Sequence, residues 1–177
     1  ILLEALNFDI KFDIIEVPFF QPRTKPKALN YASRFCYGDI FCIFDAEDIP
    51  RCDQISNVIN FFKKYKDINC IQCSLSFYNY KKNYLTRCFN FEYFSWFFIL
   101  LKGYSYLNIN FPLGGTSNYI KKSCLIRCGF WDSFNVTEDL ELSIVMTKLN
   151  YKIKSLNYTT REGCVLNIKD WIKQRKR

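Results

Sequence analysis

The run Cys42-Ile43-Phe44-Asp45-Ala46-Glu47-Asp48 constrains the fold more than any other part of the chain. Residues 40–44 form an apolar stretch too short for a helix, and it stops abruptly at three carboxylates. It reads as a strand buried on both faces, the pattern of a parallel sheet. Open α/β sheets gather ligands beyond the carboxyl ends of their strands, so these acids stand where such a fold would hold a metal. Crowded carboxylates repel one another unless a cation or a hydrogen-bond network compensates them. The alternative is an acidic turn in front of a helix, with Asp48 capping the segment after Pro50.

The rest of the chain alternates strand-like and helix-like segments without repeats or an internal linker, so residues 1–177 are expected to form a single domain. Residues 13–17 read as a strand, and residues 27–35 as a helix entered through Pro22-Arg23-Thr24-Lys25-Pro26. Ile55, Val58, Ile59 and Phe62 recur at helical spacing and predict an amphipathic helix over residues 53–65. Strands are expected at 70–78, 118–121 and 152–156. Helices are expected at 84–101, stopped by Gly103, at 123–128, ended by Gly129, and at 136–149. Strands alternating with helices of this size argue for α/β layering with a largely parallel sheet.

Composition removes several chemistries. The chain has no histidine, which excludes Ser-His-Asp and Cys-His nucleophile systems and imidazole zinc sites. Base chemistry falls to carboxylates, Lys or Tyr. Nine scattered cysteines suit a reducing compartment; Cys70 and Cys73, three apart in a strand, point to opposite faces and read as buried small hydrophobes. No apolar run approaches the roughly 18 to 20 residues of a membrane span. The net charge of +8 suits an anionic partner, and nucleic acid, acidic lipid headgroups and nucleotide diphosphates all qualify. A nucleic-acid binder would interleave its Lys and Arg with aromatics on one face, whereas here acids cluster at a strand end.

Three further segments could carry chemistry. In Thr137-Glu138-Asp139, Thr137 can cap a helix whose dipole the two acids complement and which keeps Asp139 ionised. In Leu113-Gly114-Gly115-Thr116-Ser117-Asn118, a glycine pair lets backbone approach a ligand closely or makes a turn. The third is the basic end Gln174-Arg175-Lys176-Arg177, otherwise a solvated tail. Trp171 and Ile172 before it could rest on an interfacial region.

The ordered set is more specific than its members. Pro22-Arg23-Thr24-Lys25-Pro26-Lys27-Ala28-Leu29-Asn30, Gly38-Asp39, Asp45-Ala46-Glu47-Asp48-Ile49-Pro50, Gly114-Gly115-Thr116-Ser117-Asn118, Gly129-Phe130-Trp131-Asp132, Thr137-Glu138-Asp139 and Gln174-x-x-Arg177 resemble the processive branch of family 2 glycosyltransferases, the cellulose synthase-like bacterial enzymes. The resemblance implies a GT-A fold, Rossmann-like, with a mainly parallel mixed sheet flanked by helices. It implies an inverting transfer of sugar from a nucleotide-diphosphate sugar, usually a UDP-sugar, to a carbohydrate or lipid-linked acceptor, with Mg²⁺ or Mn²⁺.

Residue by residue, the resemblance places Asp45 and Glu47 at the metal, with Glu47 standing where the family's DxD element has its second Asp. Asp48 is a possible substitute ligand. Lys27, Gln174 and Arg177 fall at the donor diphosphate, Asp139 at the catalytic base, and Glu138 beside it as the residue orienting the turn. Gly114, Gly115, Thr116, Ser117 and Trp131 fall on the acceptor side. The QxxRW motif lacks its Trp within this chain, and the family's first strand, with the Asp that recognises uracil, would lie upstream of Ile1. The chain is therefore expected to be a partial catalytic domain of a longer membrane protein, on the cytoplasmic face of the cell membrane, with no nucleic-acid partner. A catalytically inactive fragment is the alternative.

Overall fold

The structure, a computed structural model, describes residues 13–176. Four strands form one mixed sheet in the order β1-β3-β2-β4: β1 (Ile40–Ile43), β2 (Ile68–Phe77), β3 (Asn118–Lys121) and β4 (Lys152–Glu162). β3 runs antiparallel to both β1 and β2, and β2 pairs parallel with β4. Three strands thus share one direction, and the short β3 is inserted against them. Residues 40–44 are not buried on both faces as expected. Among the described residues β1 pairs only with β3, and of its four residues only Ile43 is buried.

Two cores lie on the two faces of the sheet. The period of two along a strand sends Cys70 and Leu75 of β2 into the larger core, with Phe97, Ile120, Leu125 and Met146, and sends Ile71 and Cys73 to the other face. Cys70 and Cys73 are separated as their spacing requires, and all nine cysteines are free. Helix α2 (Gln54–Lys64) covers the second face through Val58 and Phe62. Ile55 of the same expected apolar set is instead 48% exposed.

Helix α1 (Lys25–Ala32) begins at Thr24, whose hydroxyl accepts from Lys27 N, and continues into a 3₁₀ turn at Ser33–Phe35. A reciprocal cap between Asn83 and Thr86 opens α3 (Tyr84–Phe94). The helix then widens to π geometry over Ser95–Leu100 and resumes as α4 (Leu101–Tyr106). Gly103 sits inside that last turn and does not stop it. Helix α5 (Lys122–Cys128) ends at Gly129 with φ of 82°, the left-handed conformation that favours glycine.

Helix α6 (Glu138–Lys148) and α7 (Ile168–Arg175) complete the described chain. Residues 13–17, expected as a strand, form none. β4 runs six residues beyond its expected end at Leu156: its register against β2 slips by two residues between Cys73↔Leu156 and Ser74↔Thr159, and the strand continues to Glu162. No helix among the described residues is long and apolar enough to cross a membrane.

Candidate active site

Past the end of β1 the chain folds into a turn closed by its own acids. Asp48 N donates to Asp45 O at 3.2 Å, and Asp45 N donates to Asp48 Oδ2 at 2.7 Å. The Thr116 hydroxyl donates to the same Asp48 oxygen, and Asp45 N also approaches Thr116 Oγ1 at 3.3 Å. Asp48 is therefore the internal strut of the turn. Ile49 is then tied to β4, exchanging backbone bonds with Arg161 at 2.8 and 2.9 Å, which brings Glu162 beside the acids.

Asp45 faces a cation. Lys25 Nζ donates to Asp45 Oδ1 and to Gly115 O, both at 2.5 Å. Lys27 points elsewhere, donating to Pro18 O at 3.0 Å and to Phe20 O, with its ammonium 3.7 Å from the Phe20 ring centroid. Two residues along a helix turn about 200°, so α1 can present only one of these lysines to the acids. Sequence reasoning chose Lys27; the structure assigns the contact to Lys25, a residue in the same Pro-rich run.

The glycine loop between β3 and the preceding helix is held rigidly. Gln72, fully buried on β2, accepts from Gly114 N at 2.8 Å through Oε1 and donates through Nε2 to Thr116 O at 3.0 Å and Cys73 O at 2.9 Å. Asn118 Nδ2 donates to Gly114 O. These bonds fix Gly115 against α6, where an added Cβ would stand 3.5 Å from Asp139 Oδ2. Thr116 is spent on Asp48. Ser117, with φ of 59° and no exposure, lies in a buried cluster with Gln54 and Thr160, at 2.9 and 2.6 Å, and does not face the loop's open side.

Asp139 and Glu138 occupy the first turn of α6 and are both buried. Thr137 does not cap this helix; its hydroxyl donates to Asn135 Oδ1 at 3.1 Å. Burial, and then the charges of Glu138 and Asp45, push the Asp139 carboxyl up to about 7. Lys25 and the Trp131 indole N–H oppose that shift. Trp131 is itself core, 3% exposed, its ring in the larger hydrophobic cluster and its buried Nε1 short of a full hydrogen bond. Its backbone is clamped by Asn30, which donates to Trp131 O at 2.6 Å.

Glu162 was not singled out by the sequence, because it lies in the part of β4 that follows the register slip. Burial, and then Asp48, Asp45 and Glu47, push its carboxyl up to about 7, and the Tyr93 hydroxyl favours its charged form. Gln174 is exposed in the last turn of α7, away from the contacts described above. Its neighbour Arg175 donates to Glu92 and stacks 4.9 Å from the Phe89 ring centroid. Arg177 lies outside the described residues.

Asp45 and Glu47 offer only carboxylate oxygens, hard donors that suit Mg²⁺ or Mn²⁺. Asp45 Oδ1 is committed to Lys25, its Oδ2 takes no hydrogen bond among the described residues, and Glu47 is exposed. Among the described residues no three His, Cys, Asp or Glu side chains are gathered as a ready cluster. Two carboxylates fit an ion whose other ligands come from a diphosphate and water. The Lys25–Asp45 pair is about one-third exposed on each side, at 34% and 38%, so its rearrangement around such an ion costs little.

A family model described as Glycosyl transferase family group 2 matches residues 40–177. The chain is 26% identical over 153 residues to "Probable glycosyltransferase YdaM" of Bacillus subtilis (strain 168), covering 84% of this chain and 36% of that protein. It is 28% identical over 167 residues to the poly-beta-1,6-N-acetyl-D-glucosamine synthase of Staphylococcus epidermidis, covering 94% of this chain and 38% of that one. The beta-monoglucosyldiacylglycerol synthase of Trichormus variabilis is 26% identical over 151 residues, 83% of this chain and 31% of its own length. The chain thus spans about a third of the length of these relatives. Among solved structures, the mannosyltransferase PcManGT from Pyrobaculum calidifontis, in complex with GDP-Man and Mn²⁺, superposes with a TM-score of 0.62 at 19% identity, over 88% of this chain and 41% of that one. The mixed sheet flanked by helices is accordingly a GT-A fold, and the chain belongs to glycosyl transferase family group 2.

Proposed function

We propose that this chain supplies the catalytic part of an inverting glycosyltransferase, moving a sugar from a UDP-sugar to a carbohydrate or lipid-linked acceptor by direct displacement. One observation carries the reading: Asp45, Lys25, the Gly115 carbonyl and Asp139 converge on one loop although they lie far apart in sequence. A carboxylate that can hold a metal and a second carboxylate that can take a proton are what a one-step transfer needs. The GDP-Man and Mn²⁺ held by the mannosyltransferase of the same fold support a nucleotide-sugar donor and a divalent ion.

In this reading Asp139 takes the proton from the acceptor hydroxyl as that oxygen attacks the anomeric carbon. The bond from that carbon to the diphosphate oxygen breaks, and the nucleotide diphosphate carries away the electron pair. Inversion follows from the single displacement. Lys25 lies beside the departing diphosphate and offsets its growing charge. Mg²⁺ or Mn²⁺ bound by Asp45 and Glu47 supplies Lewis-acid stabilisation of the same leaving group. Gly115 keeps the space next to Asp139 free of side chain, so that an acceptor hydroxyl can reach the base. Glu138 raises the proton affinity of Asp139 through its charge. The placement on the cytoplasmic side of a membrane, within a longer protein, belongs to the same proposal.

The test is Asp139→Asn in the full-length protein, assayed for sugar transfer. Removing a general base costs about 10² to 10⁴ in rate, so kcat should fall by that factor while metal-dependent UDP binding persists. Unchanged turnover would sink the assignment.

A further inference from the structure

A second concave surface adjoins the site. A cleft of about 680 Å³, within the range of small-molecule pockets, is lined by Phe91, Tyr93, Trp96 and Phe97 of the α3–π segment and includes Gly114 in its wall. Glu92 and Arg175 also line it, and Arg175 Nη2 donates to Glu92 Oε2. Two features separate this cleft from an ordinary surface dent. The helix leaves α geometry at Ser95–Leu100, and π turns of this kind occur mostly as short insertions at functional sites. The cleft is also continuous with the catalytic loop. Phe97 Cζ would lie 3.6 Å from a Cβ on Gly114, and the next residue, Gly115, abuts Asp139.

We propose that this cleft binds the carbohydrate chain of the acceptor, with pyranose rings stacked on Phe91 and Trp96 and hydroxyls bonded to the Glu92–Arg175 pair. The proposal rests on the reading of the chain as a sugar transferase and names the acceptor class for that site. Sugar rings present an apolar C–H face that suits aromatic surfaces, and Tyr and Trp add polar tips for the rim. The ion pair decides between a sugar and an acyl chain. Covering it with hydrocarbon would remove water from two charges without replacing their hydrogen bonds, whereas sugar hydroxyls replace that water directly. The packed ring series Phe89, Tyr93 and Phe97, with neighbouring centroids 5.1 and 5.5 Å apart, keeps the cleft floor rigid, so a ligand meets a preformed surface.

The experiment titrates a β-1,6-linked N-acetylglucosamine tetrasaccharide and, separately, dioctanoylglycerol into the full-length protein, in wild type, Phe91→Leu and Trp96→Leu. Phe91 is 72% exposed, so its variant folds even if the partly buried Trp96 tolerates change poorly. Both substitutions should weaken tetrasaccharide binding by about tenfold, as loss of an aromatic anchor does. Equal tetrasaccharide affinity in wild type and Phe91→Leu overturns the proposal, and so does a wild type that does not bind it. Dioctanoylglycerol binding that weakens with either substitution also overturns it and assigns the cleft to acyl chains. The parent reading is scored separately, by wild-type turnover of UDP-sugars with water as acceptor: its absence sinks the transferase reading and leaves the binding result standing.

Discussion

Asp139 sits where two opposing effects meet. The amide dipole at the start of α6 favours a charged carboxylate by about 0.3 to 1 kcal/mol, while burial of a carboxyl can raise its pKa by several units. Burial wins, and the group reaches about 7. That value suits a general base better than a fully acidic carboxyl would, because its affinity for the incoming proton matches neutral conditions. The position of Asp139 was legible in the sequence as an acid opening a helix. Its protonation state was not, because the neighbours that bury it come from other parts of the chain. Lys25 was lost for a related reason: sequence spacing does not say which of two lysines on one helix turns inward. Lys25→Gln should lower turnover about 10- to 100-fold by removing charge compensation at the diphosphate. Lys27→Gln, which only frees two loop carbonyls, should change it less than about threefold, and steady-state kinetics of the two variants will tell. The reverse order would return the role to Lys27.

At the scale of elements, buried polar struts do most of the positioning. Gln72 on β2 reaches three backbone groups across the sheet and holds the glycine loop that faces Asp139. Gln72→Leu strands those partners in the interior and should cost about 2 to 4 kcal/mol in urea denaturation. A loss below about 0.5 kcal/mol would show that the loop is held by something else. Helix α2 and strands β2 and β3 were readable from periodicity, because packing on one face imposes that periodicity. The long aromatic helix was readable only in outline. Gly103 looked like a stop, yet glycine inside a helix costs only about 1 kcal/mol, and the helix runs on until Asn108 takes a φ of 57°. The basic end was read as a tail. Asn167, whose side chain accepts from Asp170 N at 2.9 Å, was the available sign that a helix begins there.

The whole molecule places its acids at one edge of the sheet, and this sets its pH response. β1, β2 and β4 run in one direction, so Asp45 and Glu162 emerge at the same end. The alternation of elements foretold three strands running together. The reversed β3 was not legible, since four residues between two turns carry no sign of direction. Asp139 and Glu162 both hold protons to about 7 in the folded chain, against about 4 for the free side chains. Between those values the folded state binds more protons than the unfolded state, so stability falls as pH rises and levels off above 7. With no histidine in the chain, these carboxyls dominate that window. The melting temperature of the metal-free protein should therefore drop between pH 5 and 8, and an increase would contradict the buried, protonated assignment.

The central claim is that the acids after β1 hold the donor diphosphate through a metal. Calorimetric titration of UDP into the full-length protein, with Mn²⁺ and with chelator, tests it most directly, using Asp45→Ala as the control. The account predicts binding that requires Mn²⁺ and weakens about tenfold or more in Asp45→Ala, because the carboxylate anchors the ion that neutralises the diphosphate. Equal UDP affinity with and without the metal, in wild type and variant alike, would show that the acidic run is only a turn.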